Sequence, residues 1–373
     1  MAAFHITRFS MARQLQSDKI LFGAVVALVL FGALMVYSAS AVVAADRYNN
    51  GNYFLLRQLA WAGAGLVAVA ILMYTDYRRL KSPIVVFPAL AIEFLLLVVV
   101  LFMDRSHNTH RWFHLGMASF QPSELAKIVL TLFLAFFLDL RNGEVNDWKH
   151  TLAPIALVSG IMVMLILKEP DLGTTLAMGL VLAAMLFSAG LHVRYFVGAG
   201  LAALPPLYWL IFHSTYRHNR ILAFLNPYAD PLGKGFQILQ SYIGVGTGGI
   251  SGVGLMEGKQ KLFFLPEPQT DFIYAVVGEE LGLIGTVAVV IVFAIIFYRG
   301  LRASQACKDD FGRLLAIGLT VMIVGQALVN MSVVLGLLPT KGIPLPFVSY
   351  GGSSLVVNLV AVGILLNISQ QAS

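Results

Sequence analysis

Cysteine is almost missing from this chain. Cys307 stands alone among 373 residues, which excludes an internal disulfide and any metal cluster built on cysteine ligands. Charge is scarce too: Asp, Glu, Lys and Arg make up 12% of the residues, against 58% hydrophobic ones. A soluble protein of this length has no means of hiding so much apolar surface, whereas in a bilayer it need not be hidden. The motif inventory is thin. There is no H-E-x-x-H, no Walker sequence and no Ser/His/Asp arrangement. No basic helix carries interleaved aromatics, so no nucleic-acid partner is expected. The net charge of +6 is spread over short segments between apolar runs, as membrane topology demands.

What the chain has in quantity is long apolar windows. About ten of them, each long enough to span a bilayer, fall at 20–42, 55–74, 83–103, 121–140, 152–168, 172–190, 194–213, 272–298, 313–337 and 347–369. The expected fold is an all-α polytopic membrane protein, one integral membrane domain over 1–373 with a polar tail at 1–19. Ser38-Ala39-Ser40-Ala41 faintly resembles a signal-peptidase site, but the apolar run from Ile20 to Val36 exceeds a usual signal core and reads as a retained first span. The fifth and sixth windows meet at Lys168-Glu169-Pro170-Asp171, a tight hairpin.

Basic residues set the orientation. One side collects Arg8, Arg13, Lys19, Arg78, Arg79, Lys81, Arg141, Lys149, Arg194, Arg299, Arg302, Lys308 and Arg313; the other holds only Arg47, Arg105, Arg111, Lys168 and Lys341 in its short loops. The positive-inside rule therefore places both termini in the cytoplasm and the long 214–271 loop on the outer face. Chemistry there has no access to cytoplasmic nucleotide-activated donors.

Four clusters could carry function. Asp271 ends that loop at the mouth of an apolar helix, where a carboxylate is costly to keep ionised. It is either a general base or simply a helix cap with Thr270. Glu279 and Glu280 follow deeper in the same helix, and at least one must face the bundle interior. Gln121, Ser123, Glu124 and Lys127 open the fourth window behind Pro122, with Gln121, Glu124 and Lys127 on one face. They form either a structural ion pair or the wall of a polar cavity. A basic set, Arg105, Arg111, Arg217, Arg220, Lys259 and Lys261, suits a diphosphate or anionic lipid headgroups, beside an aromatic belt containing Trp112 and Phe113. Last, Gly342-Ile343-Pro344-Leu345-Pro346-Phe347-Val348-Ser349-Tyr350-Gly351-Gly352 is a broken lead-in to the final window, and broken backbone at membrane depth needs protein or a polar cavity against it. Ser349 and Gly351 are candidates to touch substrate. The G-x-G-x-x-G match at 244–249 has no preceding strand and is rejected as a dinucleotide site.

In order along the chain, QPSELAK (121–127), EPDLGT (169–174), NPYADPLGKGFQILQS (226–241), LPEPQTDFIYAVVGEELG (265–282) and LPTKGIPLPFVSYGGSS (338–354) resemble the SEDS family of cell-wall polymerases. Within it, LPTKG and NPYADP resemble division-type rather than elongation-type members. The resemblance implies ten spans with cytoplasmic termini, and peptidoglycan glycosyl transfer from lipid II, an undecaprenyl-diphosphate-linked disaccharide pentapeptide. It also implies a place in the bacterial cytoplasmic membrane at the division septum. It marks Asp271 as the essential acid of the outer loop, and Trp112 beside Arg111 and the Glu124/Lys127 pair as positions that matter for activity. The implied partners are a class B penicillin-binding transpeptidase, other divisome membrane proteins and membrane lipid. The chain departs from the family at Gln269, where many members carry His, and in its Gly254-Leu255-Met256-Glu257-Gly258 stretch.

The expected reaction is an inverting glycosyl transfer with Asp271 as base. Positive charge on the leaving diphosphate would come from Arg217, Arg220, Lys259 or Lys261, or from a divalent cation such as Mg2+ or Mn2+. Glu124 and Lys127 would shape the cavity. The competing readings are a lipid II flippase, with Glu93, Glu124 and Lys127 lining a polar path, and a non-catalytic division scaffold.

Overall fold

A computed structural model describes residues 17–103, 111–115 and 118–372. Helices dominate: α1 (Lys19–Tyr48), α2 (Tyr53–Tyr74), α3 (Pro83–Met103), α4 (Pro122–Leu140), α5 (Ala153–Lys168), α6 (Leu172–Ser188), α7 (Val193–Phe212), α8 (Thr215–Leu225), α9 (Phe236–Gly248), α10 (Ile273–Ala306), α11 (Asp310–Val334) and α12 (Gly352–Ala372). Among the described residues, seven helices are long and apolar enough to cross a membrane: α1, α2, α3, the stretch Trp148–Lys168 ending in α5, α10, α11 and α12. The chain is a multi-pass membrane protein.

Side chains set the helix ends. The Asp18 carboxylate accepts from the amides of Ile20 and Leu21 to start α1, Asp171 accepts from Gly173 and Thr174 to start α6, and Asp309 accepts from Gly312 to start α11. Pro122 opens α4, where its missing N–H costs nothing. α11 and α12 are the most enclosed spans. α11 packs against α4, α6 and α10, and α12 lies along α2. Outward-facing Leu30, Ile71, Ile84, Leu95 and Ile284 remain exposed, as side chains meeting lipid should.

The structure departs from the sequence reading in four places. The all-α expectation gains a small antiparallel ribbon, β1 (Phe113–Leu115) and β2 (Ala118–Phe120), with Phe113 opposite Phe120. The 214–271 loop is partly helical, through α8 and α9. α12 starts at Gly352 rather than 347, because the segment before it carries Pro344 and Pro346 and turns through a left-handed Phe347 (φ 66). Finally, α10 is broken at Gly282 (φ 64), where Leu283 and Ile284 donate to the carbonyls of Gly249 and Ile250. Only glycine adopts that backbone without penalty.

Candidate functional site

Asp271 sits immediately before α10, and the cap of that helix is Phe272, with no side-chain capping bond. The capping role therefore falls away. The backbone around Asp271 is instead clamped carbonyl by carbonyl. Tyr350 N–H donates to Gln269 O (2.8 Å), Ser349 Oγ to Thr270 O (2.6 Å), and Asn330 Nδ2 to Asp271 O (2.8 Å). The second Asn330 bond goes to Ile343 O (2.7 Å), so α11 ties the Asp271 turn to the broken segment before α12. Gly342 leaves room for the carboxylate: a β-carbon there would lie 2.8 Å from Asp271 Oδ2.

Asp271 borders two chambers of similar size. The first, about 370 Å3, is lined by Arg57, Trp61, Arg111, Trp112, Gln121, Glu124, Lys127, Asp171, Tyr350 and Gly351, among others. The second, about 360 Å3, is lined by Arg111, Arg217, Arg220 and Lys341, with Asp171 and Asp271. Arg111, Asp171, Gly173, Asp271 and Gly342 border both chambers, so the two are lobes of one site with Asp271 on their common wall. Their charges differ. The first lobe sets Arg57, Arg111 and Lys127 against three carboxylates; the second sets four cations against two.

The wall of the first lobe is a buried polar chain. Lys127 Nζ lies 2.9 Å from Glu124 Oε2 and 2.5 Å from Gln326 Oε1, and Gln326 Nε2 donates to Pro344 O (2.9 Å). Glu124 and Lys127 form an ion pair, and both line the first lobe. Asp171 accepts from Gln121 Nε2 (3.1 Å), Thr174 Oγ1 (2.9 Å) and, more distantly, Ser123 Oγ (3.4 Å), joining the start of α4 to the start of α6. Arg111 donates to the carbonyls of Glu169 (2.8 Å) and Pro170 (2.5 Å), which orients its guanidinium toward the α5–α6 turn. Arg220 donates to Thr340 O (2.7 Å).

Electrostatics follow from this enclosure. Burial pushes Asp271 up to about 7, the nearby Glu267 adds to the rise, and the guanidiniums of Arg220 and Arg111 oppose it. Burial likewise pulls Lys341 below its ordinary value. A carboxyl poised near neutrality is suited to taking and releasing a proton.

Several sequence candidates lie elsewhere. Lys261 is buried, donates to Glu280 (2.6 Å) and Ser38 (3.1 Å), and borders neither lobe, which sets it apart from the diphosphate-sized lobe. Glu279 accepts from the amides of Lys259 (2.8 Å) and Gln260, holding the 252–261 turn rather than the cavity. Lys259 is exposed and borders neither lobe. The Ser349 hydroxyl accepts from Leu345 N–H and donates to Thr270 O, and Ser349 borders neither lobe, so it staples the turn. Arg105 falls outside the described residues. The sequence reading missed Asp171, Gln326, Asn330, Arg57, Trp61 and Lys341 as site residues. Gln326 and Asn330 were findable, as two amides at i, i+4 in an otherwise apolar span. Among the described residues, no group of three or more His, Cys, Asp or Glu side chains could hold a metal ion. The positive charge that lines the second lobe stands on Arg and Lys side chains.

Comparison with known proteins agrees with this picture. Residues 18–373 match the FtsW/RodA/SpoVE family model, described as cell cycle protein. A probable peptidoglycan glycosyltransferase FtsW of Geobacter metallireducens is 47% identical over 348 residues, covering 92% of each chain. Stage V sporulation protein E of Bacillus subtilis is 40% identical, covering 92% of this chain and 94% of its own. Among solved structures, a chain from a peptidoglycan synthase complex that coordinates polymerization and crosslinking superposes with a TM-score of 0.80 at 33% identity, covering 96% of this chain and 99% of that one. The rod shape determining protein RodA of Thermus thermophilus superposes at 0.71, with 28% identity, covering 96% and 99%.

Proposed function

The chain belongs to the FtsW/RodA/SpoVE family of cell cycle proteins and is a peptidoglycan glycosyltransferase acting in cell division; from that premise we propose that Asp271 is its general base. The observation carrying this reading is the place of Asp271 at the meeting of two lobes of unlike charge. A polymerase that joins two lipid-linked sugars needs two binding lobes and one proton acceptor between them.

The four-cation lobe of Arg111, Arg217, Arg220 and Lys341 takes the diphosphate of the donor, lipid II or the growing strand, by charge and by bidentate guanidinium contacts. The first lobe takes the acceptor disaccharide, with Trp61, Trp112 and Tyr350 as apolar walls and Gln121 and Glu124 as polar ones. Asp271 takes the proton of the acceptor GlcNAc 4-hydroxyl as its oxygen attacks the anomeric carbon of the donor MurNAc. The bond from that carbon to the diphosphate breaks with inversion, and its electron pair leaves on the phosphate. A diphosphate is already a good leaving group, so positive charge suffices there without a protein acid. Lys127, Gln326 and Asn330 hold the geometry from behind.

About ten spans with both termini in the cytoplasm would place this site on the outer face, at the septum. A cross-linking transpeptidase of the penicillin-binding class is the partner this activity calls for, because the chain carries no transpeptidase motif. The test is polymerisation of purified lipid II by wild type and D271N at matched protein level. Loss of product with retained folding supports the reading; wild-type product from D271N removes Asp271 from the chemistry.

A further inference from the structure

A third, smaller chamber opens from Asp271. It measures about 70 Å3 and is lined by Arg220, Gln237, Glu267, Asp271 and Lys341, among others. That volume has room for a few water molecules and none for a sugar. Asp271 is thus shared by two lobes of substrate size and one of solvent size. Lipid-linked sugars in both large lobes would leave the small one unfilled.

Glu267 lines the same chamber, an exposed residue held with unusual care. Its backbone is left-handed (φ 49), between Pro266 and Pro268, and a non-glycine residue in that conformation costs about 1–3 kcal/mol. Thr270 fixes the turn twice, with N–H (3.2 Å) and Oγ1 (3.1 Å) both donating to Glu267 O. Gln269, itself buried, donates Nε2 to Glu267 Oε2 (2.9 Å). An exposed carboxylate on a surface loop ordinarily needs no such tether. The Gln269 amide cannot ionise, but it positions a group that can.

We propose that Glu267 is the proton-exit residue of the transfer reaction, receiving through water in the side chamber the proton that Asp271 takes from the acceptor hydroxyl. This rests on Asp271 being the base. The balance is simple. The hydroxyl proton goes to an Asp271 oxygen as the glycosidic bond forms and the diphosphate departs with its electron pair. The proton then passes over water to Glu267 and on to bulk solvent, returning both carboxylates to their starting state. Arg220 from α8 and Lys341 from the 338–351 segment face the chamber, and Arg111 and Asp171 face Asp271 from the other side. Arg220 and Lys341 place positive charge beside both carboxylates of the chamber.

The full-length protein in lipid nanodiscs, supplied with lipid II, provides the test. E267Q should lower the plateau rate of polymerisation at least tenfold and move the acid limb of the pH profile to lower pH, because Asp271 loses a negative neighbour. Imidazole in the buffer should restore much of the E267Q rate and none of the D271N rate. E267D should keep more activity than E267Q, and Q269A should show a milder loss with the same imidazole response. A wild-type plateau in E267Q overturns the proposal. So does a lowered plateau with neither imidazole response nor limb shift, which marks a merely structural residue. Full activity in D271N would instead overturn the base assignment itself, a distinct result.

Discussion

Asn330 donates one amide hydrogen to the carbonyl of Asp271 at 2.8 Å and the other to the carbonyl of Ile343 at 2.7 Å. One side chain on α11 therefore fixes both the proposed base and the broken segment that walls its cavity. N330A should reduce the polymerisation rate by about tenfold to a hundredfold, since misplacing a reacting group by an ångström costs that much. Turnover of lipid II at saturating substrate measures it, with the melting temperature as control for folding.

The buried pair of Lys127 and Glu124, at 1% and 2% exposure, gives a different signature. Removing one partner strands a charge in an apolar wall, at a cost of about 3–5 kcal/mol. K127M or E124L alone should lower the melting temperature in detergent. The double variant should regain much of that stability without regaining activity. Paired thermal-shift and polymerisation assays on the three variants check this.

The pH dependence follows from Asp271 being pushed up to about 7. A base acts only when deprotonated, so the rate should rise with pH, reach half its plateau near pH 7, and fall about tenfold per unit below that. Arg220 lowers the Asp271 pKa in the wild type. R220Q should therefore shift the limb to higher pH, while also weakening donor binding.

The basic residues of the outer loop should separate. Lys259 is exposed and borders neither lobe, so K259A should leave the rate within about twofold of wild type. Lys261 is buried against Glu280, and K261A should destabilise the protein and disorder the 252–261 turn. Hydrogen exchange over that turn reads the difference.

Much of this was legible in the sequence. Helix positions follow from apolar length, and the Lys168–Asp171 turn from its Pro and Asp. Asp271, Glu124 and Lys127 stand out because ionisable groups are rare in such a chain. Capping side chains and buried partners were not legible. Lys261 and Lys259 look alike in sequence, yet one is consumed by a carboxylate 19 residues on and the other is exposed. Ser349 reads as a substrate ligand until its hydroxyl is found between Leu345 and Thr270. Asp171 reads in the sequence only as part of the tight turn between the fifth and sixth windows, yet it starts α6 and borders both lobes.

The most direct test of the account is the glycan product formed from purified lipid II by wild type and D271N, reconstituted side by side with the cross-linking partner at pH 8. Long strands from the wild type, and no more than background from a D271N protein with unchanged melting temperature and partner binding, are expected. Strands of wild-type length and yield from D271N would contradict it.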